Sequence, residues 1–320
     1  MRNARNYCWY NYFGTKSKVI QTRDGTSFSN TIGSSNYYVF VCTFEECKEK
    51  GAIYIQRSNE ICVLLEDNTF TRCKSTTDGG SVCYNCRESG QFVQQRNSYI
   101  ESISAYRCMS FFQLSSPSST SKNYAFQVSV TKCGESESNG YYTFHIAWGD
   151  LRFENNNITY NKCIYYSSIS SWLGGKSVTC GFSTFRENNQ TGSESLVFYS
   201  NSDSYIQTVS YCNVIGNKCG TDDDQVLFLC RFNTTVDHCV FLNNTAKYMF
   251  WIFFEDCTLT ITDSCIQSNS KTGSGTLKLI IENISQFDSF DCFKEPKLMT
   301  VKVSNFCSFA EFSNVLFTKK

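Results

Sequence analysis

Strand-forming residues along the chain come in short runs of four to seven, each closed by a polar turn, with none of the 3.6-residue rhythm of amphipathic helices. One set of runs follows a Gly-, Ser- or Asp-containing turn: GAIYI at 51, GSVCY at 80, YYTFHIA at 141, SLVFYS at 195, QVLFLC at 225, YMFWIFF at 248 and TLKLII at 276. A second set comprises ICVLLED at 61, LRFENNN at 151, IQTVSYC at 206 and LTITDSC at 259. Runs of this length, bounded by turn residues, predict short β-strands.

A third element links them. The motif [Cys/Asn/Ser]-x-[Phe/Val/Ile]-x-x-[Cys/Asn] matches CTFEEC at 42, NTFTRC at 68, NNITYN at 156, STFREN at 183, CNVIGN at 212 and CVFLNN at 239. Looser copies are ISAYRC at 103, VSVTKC at 128 and CIQSNS at 265, so that successive steps measure 26, 35, 25, 28, 27, 29, 27 and 26 residues. A near-constant period in this range marks a solenoid, in which each repeat buries its apolar face only against its neighbours. Helical repeats are excluded, because no unit carries a long helical pattern. Three short strands and three turns in about 27 residues make one coil of a parallel β-helix.

Coils stack at the strand spacing of about 4.8 Å, so residues one period apart form columns. The third motif position then becomes an inward apolar stack: Phe44, Phe70, Val130, Ile158, Phe185, Val214 and Phe241. The first and last positions become ladders, with Cys42, Cys212 and Cys239 in one and Cys47, Cys73, Cys133, Asn161, Asn188, Asn217 and Asn244 in the other. An inward Asn can bond both the turn backbone and the Asn of the next coil, and Cys serves as a small buried filler. The 35-residue step implies an insertion of about eight residues within 85–97, and SSPSSTS at 115 reads as an exposed turn. The solenoid is assigned to 37–292, with an N-terminal cap or lead-in at 1–36 and a C-terminal cap or tail at 293–320, since an uncapped coil exposes a strand edge.

Composition narrows the possible partners. Twenty-nine Lys and Arg balance 29 Asp and Glu, so no global field gathers nucleic acid, and no nucleic-acid partner is expected. Nineteen cysteines, scattered from Cys8 to Cys307, do not form a compact disulfide framework, and stacking in parallel columns points to mostly free thiols. The single C-x-x-C, Cys83 to Cys86, lacks a second ligand pair, and His145 and His238 are isolated in sequence, so neither a metal nor a cofactor is assigned. The N-terminal MRNARNYCWYNYF has no apolar signal-peptide region, and the longest apolar run, YMFWIFF, is too short to span a bilayer.

The copies NTFTRCKSTTDGGSVCY and TFEECKEKGAIYI resemble the right-handed parallel β-helix repeats of polymorphic outer-membrane-type proteins, sets of which occur in trichomonad protists. The resemblance covers about residues 37 to 292. It implies an all-β, single-stranded, right-handed, pectin-lyase-like β-helix, here of about nine to ten coils. It also implies a monomeric cell-surface or secreted protein engaged in adhesion to a host-cell protein or glycan.

Parallel β-helices also house polysaccharide lyases and hydrolases, which need paired carboxylates. Candidates are Asp222, Asp223 and Asp224, with Glu66, Asp67, Glu154, Asp237 and Asp263. Asp237 and Asp263 fall in nearly one column, yet the Gly-His-Gly, Arg-x-Lys and calcium-binding Asp signatures of those enzymes are missing. The Asp triplet lacks the Asp/Gly alternation of calcium loops. Tyr141, Tyr142, Trp148, Trp172 and Trp251 would form a sugar-stacking strip if they share an outward face. Sequons begin at Asn157, Asn189, Asn233, Asn243 and Asn283. The expected function is a non-catalytic surface or secreted interaction module. A carbohydrate-active β-helix enzyme and a cytoplasmic repeat scaffold are the alternatives.

Overall fold

In the computed structural model, strands one period apart pair in parallel to build three long sheets. The structure describes residues 2–280 apart from 22–26, 32, 34, 57–59, 87–89, 109–110, 116–117, 119, 137–139, 176–177, 201, 203–204, 206, 221 and 223–224. The first sheet holds eleven strands, among them Tyr37–Phe40, Cys62–Glu66 and Gln91–Gln95. The second holds nine three-residue or shorter strands, beginning with Thr43–Glu45 and Thr69–Thr71, and the third holds ten, including Ile53–Gln56 and Val82–Asn85. Nine rungs in the shortest sheet make about eight turns of a parallel β-solenoid, near the nine to ten coils expected.

Register places all seven expected residues in the apolar column and adds two, Tyr99 and Ile266. Phe44, Phe70, Tyr99, Val130, Ile158, Phe185, Val214, Phe241 and Ile266 pair rung by rung along the second sheet. The third copy is therefore NSYIES at 97, and ISAYRC at 103 lies in the following turn and strand. Tyr99 follows Phe70 by 29 residues, so the expected insertion within 85–97 does not exist; Gln91–Gln95 is a regular strand of the first sheet. The slot selects a large apolar side chain and not a particular residue, and where rings follow one another they stack: Phe44, Phe70 and Tyr99 have centroids 5.0 and 4.7 Å apart and planes within 4°. At the far end Ile266 lies over Phe241, which moves that copy's start from Cys265 to Ser264.

Two turns in every coil use left-handed backbone. The residue before the first motif position has positive φ in all nine rungs, from Val41 (φ 51°) to Asp263 (φ 43°), although none is glycine. A second left-handed residue precedes the last motif position in eight rungs, from Glu46 to Asn243. Such residues cost about 1–2 kcal/mol each, offset here by the ladders described below. They sharply bend the chain between sheets and set their own side chains in outward columns, as at Phe182, which is 44 % exposed.

The lead-in contains a helix, Arg2–Phe13, and strands Val19–Gln21 and Phe28–Asn30 that already join the first and third sheets. Trp9 and Phe13, one helical turn apart, pack on the outer face of the first sheet against Tyr38, Cys62, Leu64, Val93 and Tyr124. Trp9 Nε1 donates to Lys16 O at 3.0 Å, which fixes the helix exit. The assigned tail, 293–320, lies outside the described residues.

Candidate functional site

Two hydrogen-bonded ladders occupy the corners of the second sheet. Along the last motif position, Asn161 N and Nδ2 both donate to Asn188 Oδ1 at 3.1 and 2.9 Å. Asn188 repeats this toward Asn217, and Asn217 toward Asn244, while each Nδ2 also donates to a core carbonyl of the preceding coil, such as Ile158 O or Phe185 O at 2.9 Å. Cys73 and Cys133 imitate the amide weakly, their Sγ reaching Phe44 O and Tyr99 O at 3.8 Å. Cys47 stands at the head of this column with its thiol on Glu45 O at 3.9 Å. The first motif position carries a parallel ladder: Cys42 N to Asn68 Oδ1, Asn68 N to Asn97 Oδ1, Val128 N to Asn156 Oδ1 and Cys212 N to Cys239 Sγ. Asn97 escapes sequence reasoning because its copy carries Tyr and Ser where the motif asks for other residues. These ladders satisfy buried turn amides and have no exposed chemistry.

The carboxylate candidates separate into distinct settings. Glu66 is buried and accepts hydrogen bonds from Tyr38 Oη and from Gln95 Nε2 at 2.7 Å, with Arg96 bridging it to Asp67. That network shares one cation between its two carboxylates and lies beside Tyr12 of the helix, which donates to Gln95 Oε1 at 3.0 Å. Glu154 ends a first-sheet strand, half-buried, and Asp222 caps a turn with its amide on Gln225 Oε1 at 2.9 Å; Asp223 and Asp224 lie outside the described residues. Asp237 and Asp263 do meet, with His238 between them, and the donor atoms of the three lie within 4.8 Å of one another. That is closer than the roughly 5–9.5 Å that glycosidic chemistry requires. A separate cavity of about 430 Å³ is lined by Glu49, Lys74, Ser75, Ile103, Ser104 and Glu135 among others, with Lys74 Nζ 4.0 Å from Glu135, and it contains none of the acidic candidates.

The aromatic candidates gather on the outside of the third sheet and its flanking turns. Tyr141 stacks on Tyr165 (5.4 Å, 12°), and Tyr142 on Tyr166 (4.8 Å, 12°). Trp172 meets Tyr199 edge-on at 5.1 Å, and Tyr199 stacks on Phe232 at 5.9 Å. Trp148 joins a small cluster of Cys83, Cys108 and Ala147, and Trp251 packs on Phe253 at 5.6 Å. Because the tyrosines cover one another's faces along the solenoid axis, they offer edges and hydroxyls outward, unlike the open ring faces that a sugar-stacking strip needs. The Arg231 guanidinium lies over Trp172, Tyr199 and Phe253 at 5.4, 4.8 and 4.3 Å, and its Nε is enclosed with no acceptor among the described residues. The sequence does not single out Arg231, since only the coil stack brings it onto rings 22 to 59 residues away, drawn from three other coils.

Cys265 is disulfide-bonded, and the other sixteen described cysteines are in no disulfide. Cys86 belongs to the core and Cys83 to the outer cluster, so the C-x-x-C pair does not converge. Burial pushes the thiols of Cys73, Cys133 and Cys230 up to about 12, which leaves them protonated and inert at neutral pH. Burial likewise holds His145 down to about 3, neutral, with Nδ1 2.9 Å from Ser170 Oγ. Among the described residues no helix is long and apolar enough to cross a membrane. No protein-family model, no curated protein and no solved structure matches the chain.

Proposed function

We propose that the chain is a non-catalytic interaction module outside the cell, and that a partner protein docks on the aromatic face around Arg231. The observation that carries this reading is the Arg231 guanidinium, held over three rings with an enclosed Nε that lacks an acceptor. Tyr, Trp and Arg are the residues that dominate protein-binding hot spots, where a ring of apolar contacts excludes water from one strong polar pair. A partner presenting a carboxylate within an apolar patch matches that chemistry, with a charge-assisted bond shielded by Trp172 and Tyr199. The self-stacked tyrosines favour protein over glycan, because a sugar needs a free ring face. The motif resemblance to outer-membrane-type repeats of trichomonad protists points to a surface adhesin, and the sequon residues Asn157, Asn233 and Asn243 are exposed enough to carry glycans.

Purified chain applied to cultured host cells tests the reading by flow cytometry. Saturable binding is expected that is lost when the cells are treated with trypsin, survives removal of their glycans, and weakens at least about tenfold in Arg231→Ala. Binding that disappears only on deglycosylation, or that Arg231→Ala leaves unchanged, overturns it. In the source cell, protease applied to intact cells is expected to remove the natural protein, and an N-glycan-removing enzyme to lower its mass; survival with unchanged mass makes an internal scaffold the better reading.

A further inference from the structure

We infer that Asp237, His238 and Asp263 form a binding site for one divalent transition-metal ion of the zinc class. Asp237 ends the strand Thr234–Asp237, and Thr262 pairs with it in the next coil, so the left-handed turn residues His238 and Asp263 stand one rung apart on the outside. Their donor atoms converge within 4.8 Å. His238 Nδ1 lies 2.9 Å from Asp237 Oδ2, yet it is enclosed and makes no hydrogen bond, so the two groups are close without pointing at each other. That is how two ligands sit on a shared ion. With metal–donor lengths near 2.0–2.2 Å, neighbouring donors of a tetrahedral site fall about 3.3–3.6 Å apart and both aim at the centre, so the pair opens by about half an ångström to take the ion.

Both converging groups are held from behind. Thr262 Oγ1 donates to Asp237 Oδ1 at 2.7 Å, which leaves Oδ2 for the ion. The Tyr211 ring stacks on the imidazole at 4.9 Å and 25°, which fixes its plane. Support of this kind is what a preorganised metal site requires. Imidazole with two carboxylates suits zinc, cobalt or manganese better than calcium or magnesium, which prefer all-oxygen cages. Three protein ligands at an exposed turn leave at least one position for water or for a group on a partner. Because the ligands come from two successive coils, the ion also cross-links them.

Titration of the purified chain with CoCl₂ and ZnCl₂ decides the matter. One equivalent of Co²⁺ is expected to give visible d–d absorption without the intense near-ultraviolet band of thiolate ligation, to be displaced by Zn²⁺, and to be unaffected by excess Ca²⁺. His238→Asn and Asp263→Asn should each weaken Zn²⁺ binding at least about tenfold, and Thr262→Val by about tenfold. Asn tolerates the left-handed backbone at both positions, so the fold is retained, as circular dichroism would verify. Absence of saturable binding, a thiolate band, or unchanged affinity in His238→Asn overturns the proposal.

Discussion

Replacing Asn217 by Ala removes one rung of the longer ladder, and its cost follows from the bonds lost. The Asn217 amide donates to Phe185 O at 2.9 Å and to Asn244 Oδ1 at 3.0 Å, while its Oδ1 accepts from Asn188 N at 3.1 Å and Asn188 Nδ2 at 3.0 Å. After truncation Asn188 Nδ2 keeps Ile158 O and Asn244 Oδ1 keeps Asn217 N, while Phe185 O keeps its place in the ladder between Thr184–Arg186 and Asn213–Ile215 and loses only a second bond, so one backbone group, Asn188 N, is stranded inside. At about 1–3 kcal/mol for the buried unsatisfied amide and about 1 kcal/mol for the lost second bond to Phe185 O, the loss is about 3 kcal/mol. Asn217→Cys should cost less, about 1–2 kcal/mol, because Cys73 and Cys133 show that a thiol at this position retains a long bond to the core carbonyl. Asn213→Ala, an exposed change on the neighbouring strand, serves as control and should stay within about 0.5 kcal/mol of wild type. Urea unfolding followed by far-ultraviolet circular dichroism measures all three, with native-state hydrogen exchange at Asn188 N reporting local opening if the solenoid unfolds in stages. Were Asn217→Ala to match the Asn213→Ala control, the ladder would not be a stabilising device and the argument would fail.

Two pH effects have opposite signs. Cys73, Cys133 and Cys230 are pushed up from about 9 to about 12 in the folded chain, so between those values only the unfolded chain releases their protons. Stability is therefore full below pH 9 and falls above it by up to about 1.4 kcal/mol per pH unit per thiol, visible as a lower urea midpoint at pH 10.5 than at pH 8. A thiol reagent at pH 8 should label these residues only after unfolding. His145, held down to about 3 chiefly by burial and secondarily by Arg107, protonates in the unfolded chain from pH 6.5 downward while the folded chain does not. Stability present above pH 6.5 should thus drop by about 2–3 kcal/mol by pH 4.5, and His145→Gln should flatten that slope; a folded-state imidazole signal that titrates near pH 6.5 by NMR would contradict this.

The solenoid was legible in the chain because stacking converts a spatial column into a sequence period: an inward slot such as that of Phe185, Val214 and Phe241 recurs every coil, and so does its flanking Asn or Cys. The copy at 97 was not legible by identity, since burial and ring shape admit Tyr99 and Ser102 as readily as the motif residues. Three features needed the tertiary structure. The helix Arg2–Phe13 owes its position to an apolar outer patch built from Tyr38, Leu64, Val93 and Tyr124, residues supplied by four different coils. Arg231 acquires its aromatic surroundings, and His238 its second carboxylate, Asp263, through register between coils that vary in length by several residues, so sequence distance alone does not say which side chains meet. Local pattern sets which face of a strand turns inward, because the pleat alternates strictly; what the outward faces assemble depends on how each coil lies over the last, and only the folded stack decides that.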